Sequence, residues 1–381
     1  MRGRELDGFK TELESLVLKS ALEKSQDAVV SEVQNVLDKV RSGKSLTLEN
    51  GAVLLSQAAS NSLEEMAQEA RRLSLNHFGK SVVLYTPIYL SNYCINGCRY
   101  CNYGAEHDIK RRSLNETEIE NEAKNVAATG LRQVLLLTGE SDKHFDFEAI
   151  CRAVEIISPY FDAVMIESYA LSQSEYHRLK ALGVLGITLY QETYDQERYE
   201  YLHPFGPKSD YDWRLGVPER VGNSGLRQLS LGVLMGLTNW RTDLIKLMAH
   251  GHYMQAHYPE MEFSFSLPRM IDFEGANFEA LGIQSISDRD FVQAICVLRL
   301  VCPQFGMNLS TRETKQMRQA LLSIGINKMS AGVSTEVGGH LNVENRGEEQ
   351  FQISDHSSVS DVREMIFASG YQPIMRDWIK F

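Results

Sequence analysis

From residue 81 onward the chain repeats one pattern about eight times, a short apolar or β-branched run followed by a helix-like stretch. The runs fall at 82–86, 133–137, 163–166, 186–190, 229–234, 262–267, 307–309 and 328–330. Short runs joined by helical crossovers read as parallel strands, because a parallel neighbour is reached only through a connection long enough to hold a helix. Eight such units are the number that closes a (β/α)8 barrel of the TIM type. The alternative is an open doubly wound sheet. A barrel carries a forecast about function, since its reactive residues gather just after the strands, at the C-terminal face. Polar and charged residues do recur there: Thr138-Gly139-Glu140 after the second run, Glu167 at the end of the third, Gln191-Glu192 after the fourth, Pro268-Arg269 after the sixth, Thr311-Arg312-Glu313 after the seventh and Ser330-Ala331-Gly332 closing the eighth.

The flanks lack this alternation. Residues 1–80 read as an N-terminal helical extension, with Val30, Val33, Val36, Leu37 and Val40, then Leu63, Met66, Ala67 and Ala70, at helical spacing. Thr47 is placed to cap a helix that starts after a short linker. The barrel is assigned to 81–335. Residues 336–381 are polar and read as a C-terminal extension packing on the barrel, through a short helix at 359–368 and the aromatics of the closing Arg376-Asp-Trp-Ile-Lys-Phe381.

The densest chemistry follows the first run. Tyr93-Cys-Ile-Asn-Gly-Cys-Arg-Tyr-Cys-Asn102 sets Cys94, Cys98 and Cys101 at C-x3-C-x2-C spacing. Three thiolates in one loop can hold three corners of a [4Fe–4S] cluster and leave the fourth iron open to a ligand, which makes the cluster a reagent rather than only an electron carrier. The alternatives are three buried thiols or a zinc loop. Zinc would want a fourth Cys or His at matching spacing, and the chain has no second C-x2-C pair. Cys151, Cys296 and Cys302 sit among apolar residues and read as core thiols. Six cysteines in 381 residues do not suggest a disulfide framework. A net charge of −11 argues against a nucleic-acid surface. No apolar run reaches the roughly 18 residues that span a membrane, and the opening segment lacks the apolar stretch of a signal peptide. A cytoplasmic location at low oxygen is therefore expected.

Further motifs run in order along the barrel: Pro87-Ile-Tyr-Leu-Ser-Asn-Tyr-Cys94, Ile109-Lys-Arg-Arg112, Leu137-Thr-Gly-Glu140, Tyr190-Gln-Glu-Thr-Tyr194, Asp212-Trp-Arg-Leu215 and Leu309-Ser-Thr-Arg-Glu313. With the cysteine spacing and the aromatic Tyr100 before the third cysteine, this set resembles the aromatic amino-acid lyases of the radical S-adenosylmethionine (SAM) superfamily, in particular the tyrosine lyases that form 2-iminoacetate for thiamine thiazole biosynthesis. The resemblance covers about residues 50–381. It implies a (β/α)8 barrel, a [4Fe–4S] cluster on the three cysteines and SAM on the open iron. The implied reaction cleaves the Cα–Cβ bond of L-tyrosine, through a 5′-deoxyadenosyl radical, to p-cresol and 2-iminoacetate (dehydroglycine). An electron donor such as a flavodoxin or ferredoxin is implied as a partner, and a thiazole synthase (ThiG) would consume the product.

Residue roles follow by matching positions. Thr138, Gly139 and Glu140 resemble the motif that holds the methionine amine of SAM, and Tyr100 would lie near its adenine. Glu167 and Glu192 match groups near the SAM ribose or amine, or else hydrogen-bond structurally at the barrel rim. Arg214 resembles the arginine that binds the SAM carboxylate, a task suited to a guanidinium fork. Arg312 and Ser330 match the pair that grips the substrate carboxylate, the structural alternative for Arg312 being an ion pair with Glu313. Tyr89 matches a tyrosine near the substrate amine. Two departures stand out. After Pro268-Arg269 the family continues with an apolar residue, a basic residue and proline, whereas this chain reads Met270-Ile-Asp272. Loss of that positive charge keeps open a different aromatic substrate such as tryptophan. The run Leu202-His-Pro-Phe-Gly-Pro-Lys-Ser209 resembles the tyrosine lyases of hydrogenase maturation, but no cysteine follows Cys302 to build a second cluster. A non-catalytic iron–sulfur electron carrier is the remaining alternative, and it has no use for Glu140, Arg214 and Arg312 together.

Overall fold

In the computed structural model, which describes residues 8–271, 277–341 and 344–377, all eight runs are parallel strands. They are β1 (Ser81–Ser91), β2 (Gln133–Thr138), β3 (Ala163–Glu167), β4 (Gly186–Glu192), β5 (Gln228–Val233), β6 (Glu262–Ser266), β7 (Gly306–Leu309) and β8 (Lys328–Ser330). Each pairs with the next, and β1 pairs with both β2 and β8, so the sheet closes and the open doubly wound alternative is excluded. Along β1, Tyr85, Pro87 and Tyr89 face the barrel cavities, while Leu84, Ile88 and Leu90 are buried in the surrounding core. This is the two-residue period of a strand.

The strand β1 runs further than the sequence suggests. Pro87 lacks an N–H and reads as a strand terminator, yet β1 continues through it to Ser91 and carries the chain up to the cysteine loop. Its length is used in sections. Residues Thr86 to Ser91 pair with β2, Val83 to Tyr85 with β8, and Ser81 to Val83 with a ninth strand, β9 (Gln372–Ile374), which the sequence reading did not foresee. The crossover helices start where short polar side chains cap them. Asn115, Asp146, Ser172, Asn239, Ser287 and Thr314 each accept a hydrogen bond from a backbone N–H of the first turn.

The N-terminal helices Leu16–Asp27, Val30–Arg41, Leu48–Leu55 and Leu63–Phe78 pack on the outside of the barrel. Thr47 caps its helix as expected, accepting from Asn50 N. Helix Leu48–Leu55 presents Gly51 to Val301 and Met248 of the helices Asp288–Val301 and Trp240–His257. The amide of Gln293 reaches back to the carbonyls of Leu54 and Ser56 at 2.9 and 3.2 Å. After β8 the chain crosses the C-terminal face, forms the expected helix Val359–Ala368 and ends in β9. Arg376 then pairs with Asp162, whereas the terminal aromatics Trp378 and Phe381 lie outside the described residues. Among the described residues no helix is long and apolar enough to cross a membrane.

Candidate active site

The loop after β1 is held as a rigid cradle. Arg111 donates to four of its carbonyls: Asn92 and Tyr103 at 2.7 Å, Gly104 at 2.6 Å and His107 at 3.1 Å. Asn92 closes the same turn, accepting from Arg112 N and donating to the carbonyl of Lys110. The motif Ile109-Lys-Arg-Arg112 therefore has a structural task that the sequence did not reveal. Gly139, after β2, lies so close to this loop that a Cβ there would collide with the carbonyl of Tyr93 and press on Cys94. Only glycine lets the second crossover approach the cysteines.

Cys94, Cys98 and Cys101 are free thiols lining one cavity, together with Thr138, Gly139, Glu140, Glu167, Glu192 and Arg214. Burial pushes the Cys98 thiol up to about 12 and raises that of Cys101, so thiolates here require a cation to balance them. Two amides stand beside them as donors. Asn96 Nδ2 is 3.6 Å from Cys94 Sγ, and Gln350 Nε2 is 4.0 Å from Cys101 Sγ. Among the described residues no three side chains converge on a single metal ion. Cubane corners need no such point, because each thiolate binds a different iron. The loop, its donors and its need for positive charge fit an iron–sulfur cluster.

Around this cavity stand the polar groups expected to receive SAM. Glu140 accepts from Asn96 Nδ2 at 2.7 Å, and burial raises its carboxyl. Glu192 occupies a left-handed backbone conformation, φ 72°, beside an irregularity in the β4–β5 register, which turns its carboxylate toward the cavity. Such a conformation is uncommon for a residue with a side chain. Lys208 donates to Glu192 at 2.6 Å, and Arg214 Nη2 lies 3.4 Å from the same oxygen. Burial alone would raise the Glu192 carboxyl, but the two cations outweigh it and hold it below the ordinary range. Arg214 also donates through Nε to the Tyr190 carbonyl at 2.9 Å. Its fork is thus fixed from inside the barrel, and it is buried rather than a surface helix arginine. Tyr100 hydrogen-bonds His203 at 2.8 Å, and Lys208 approaches its hydroxyl at 3.3 Å. Burial and the charge of Lys208 push His203 down to about 3, so it is neutral.

A second cavity adjoins the first, sharing Tyr89, Cys101, Glu167, Tyr190, Glu192, Lys208 and Gln350 with it. Arg312 enters it half-buried, its guanidinium 3.4 Å from the centre of the Phe351 ring. The pair with Glu313 weighed as its alternative does not form. Glu313 instead takes Arg269, which donates to it through Nε and Nη2 and also binds Asp288. Among the described residues no carboxylate is within ion-pair distance of Arg312, and burial lowers its guanidinium pKa. Ser330 lines the same cavity with a buried hydroxyl that bonds nothing among the described residues, while the fully buried Arg318 holds its carbonyl and pairs with Asp355. Tyr89 donates to Gln350 Oε1 at 3.1 Å. Glu167 sits where the two cavities meet, and burial, then the charge of Glu192, raises its carboxyl to about 7.

The tertiary structure thus brings every expected site residue to one face of the barrel. It also adds Asn96, Lys208, Gln350 and Phe351. Lys208 stands in the Leu202–Ser209 run, whose resemblance to a related lyase was the available signal. Gln350 and Phe351 belong to the polar C-terminal extension, where no period or motif marks them. Met270 and Ile271 give the same cavity apolar surface, and Asp272 lies outside the described residues.

A family model described as the radical SAM superfamily matches residues 88–248, and one described as the Biotin and Thiamin Synthesis associated domain matches 266–372. The chain is 36% identical over 347 residues to a 2-iminoacetate synthase of Escherichia coli, covering 90% of both chains. It is 27% identical over 281 residues to a 3-methylornithine synthase of Methanosarcina barkeri, covering 73% of this chain and 77% of that one. Among solved structures it is similar to HydG, a maturase of the [FeFe]-hydrogenase, with a TM-score of 0.89 and 30% identity over 94% of this chain and 79% of that one.

Proposed function

This chain belongs to the radical SAM superfamily, in the family of the 2-iminoacetate synthases, and on that premise we propose that it cleaves the Cα–Cβ bond of L-tyrosine to p-cresol and 2-iminoacetate. It is a radical SAM lyase that uses a [4Fe–4S] cluster and SAM. The observation that carries the substrate reading is Arg312, a guanidinium without a carboxylate partner among the described residues, in a cavity that also holds the Ser330 hydroxyl, unpaired among those residues, and reaches Cys101. An inward cation of this kind calls for an anion, because an unpaired buried charge is costly. An amino-acid carboxylate held there lies in the cavity that borders the cluster loop.

When bound, the cluster and SAM would supply the radical chemistry that takes a hydrogen atom from the substrate. The chain's own residues orient both reactants. Cys94, Cys98 and Cys101 ligate three irons. Thr138, Gly139 and Glu140 receive the methionine amine of SAM. Arg214, with Nη1 bonding no described residue, receives its carboxylate. Tyr100 lines the adenine side, and Glu167 and Glu192 face the ribose or amine. Arg312 and Ser330 grip the tyrosine carboxylate, and Tyr89, anchored by Gln350, lies toward its amine. Such positioning can supply a large part of a barrier reduction when the reacting atoms meet in the right geometry.

An electron donor such as a flavodoxin or ferredoxin would reduce the cluster, and a thiazole synthase would consume the unstable 2-iminoacetate in thiamine biosynthesis. The apolar wall at Met270 and Ile271 favours a second reading, an aromatic amino acid other than tyrosine, such as tryptophan. The test is an anaerobic assay of reconstituted protein with SAM, dithionite and each amino acid in turn, read by mass spectrometry. Tyrosine-dependent deoxyadenosine with p-cresol and glyoxylate is the expected result. Deoxyadenosine that depends on tryptophan alone would overturn the tyrosine reading.

A further inference from the structure

Beneath the substrate cavity the barrel axis is polar, where barrels of this type are ordinarily filled with branched apolar side chains. Gln133, Thr188, Ser230, Ser264, Asn308 and Lys328 point inward from six of the eight strands, around a small cavity. Gln133 is 2% exposed, and among the described residues neither its Oε1 nor its Nε2 has a partner. Asn308 Nδ2 donates to Ser230 Oγ at 2.9 Å and Ser264 Oγ at 3.3 Å, but its Oδ1 bonds none of the described residues. Leaving three buried polar atoms unpaired is costly. The space they face has room for about one water, with polar partners on several sides, which is the ordinary condition for an internal water.

This cavity shares walls with two others. Tyr85, Leu135 and Tyr190 line both it and the substrate cavity above. Ser264, Asn308 and Lys328 line both it and a wider cavity at the N-terminal ends of the strands, alongside Glu262 and Asp377. The Lys328 ammonium lies 5.4 Å from the centre of the Tyr85 ring. Burial pushes Lys328 down to about 8, against the pull of Asp377 and Glu262, so its ammonium and amine forms exchange readily near neutral pH.

We propose that a file of internal water along the barrel axis, entered at Lys328 and passing Asn308 and Gln133, carries a proton from the N-terminal face to the floor of the substrate cavity. The inference rests on the tyrosine cleavage proposed above. Breaking the Cα–Cβ bond homolytically leaves the benzylic carbon one electron of that bond. To become the methyl group of p-cresol it takes one further electron, from the protein's one-electron donor, and one proton, which the axial water supplies. Lys328 gives its proton to the file and recovers one from solvent. The central cavity is too narrow for either organic product to leave through it.

Lys328→Met removes the entry group, and Asn308→Leu fills the neck. Both are assayed for p-cresol per deoxyadenosine, with melting curves to verify folding and a crystal structure of the wild type to locate water. The expected result is ordered water bonded to Gln133 and Asn308, with the p-cresol yield per deoxyadenosine falling about a hundredfold in both variants, the lower end of what a positioned proton-transfer group supplies. An unchanged ratio in two folded variants would overturn the proposal, as would a dry central cavity. Wild-type protein that forms deoxyadenosine but no p-cresol would remove the tyrosine reading instead. The crystallographic water then decides the axial path by itself, and an unbroken file supports it.

Discussion

Arg312 rests on Phe351 with no carboxylate partner among the described residues, so its removal should affect the substrate and little else. In Arg312→Ala, deoxyadenosine formation with SAM and dithionite is expected to persist, while amino-acid turnover falls by about ten- to a hundredfold, the range of a lost charged hydrogen bond. Product and deoxyadenosine measured in one reaction check this, and wild-type p-cresol would remove Arg312 from the site. Cys98→Ala is expected to lose both the cluster, read by its visible absorption and EPR signal, and all SAM cleavage. Retained deoxyadenosine there would undo the cluster assignment. The two residues were legible in the sequence for different reasons. Cysteine spacing within one loop is a local property, and the arginine sits at a strand end within a recognisable motif. Lys208 was not legible in the same way, because its meaning is the 2.6 Å contact with Glu192 on another element.

The cluster loop leans on one side chain, since four of its carbonyls accept from Arg111. Replacing Arg111 with Met should leave the barrel folded, as followed by circular dichroism, and lower the iron bound per chain after reconstitution. Full iron content would show that the clamp is dispensable. A second element, the end of β4, depends on Asp243. This carboxylate accepts from Thr193 Oγ1 at 3.1 Å and Tyr194 N at 2.8 Å, and burial raises its pKa to about 7. A carboxyl with a raised folded pKa favours the native state most at pH below its unfolded value, about 3.9. That advantage is lost as pH rises through about 7. Asp243→Asn retains an acceptor for both bonds and is expected to flatten the loss of stability between about pH 4 and pH 7, read from Tm across that range. An unchanged slope would mean that other groups dominate it. The N-cap Thr47 was readable, since capping is local chemistry. The full length of β1 and the existence of β9 were not, because Pro87 interrupts one pattern and three residues are too few to show the other.

At the scale of the molecule, the N-terminal helices are part of the body of the protein rather than a loose appendage. Gly51→Val would drive a branched side chain into Val301 and Met248, where even a Cβ stands 2.9 and 3.0 Å from them. Overpacking of this kind costs about 1–3 kcal/mol. The expected outcome is a Tm lower by a few degrees with unchanged deoxyadenosine formation per folded chain, and an unaltered Tm would show that this interface yields easily. The C-terminal extension is equally integral, since it adds β9 beside the start of β1 and brings Gln350 and Phe351 to the cavity. By itself the sequence determined the eight strands, the barrel they close and the cysteine loop, because alternation, capping and ligand spacing act over a few residues. Only the tertiary structure decided which charges pair and which stay available. Arg269 takes Glu313 and leaves Arg312 to face the cavity, and Lys208 joins Arg214 on Glu192. Those choices depend on distances between residues far apart in the chain, and a pattern read along the sequence carries no information about which of several nearby charges will come within reach.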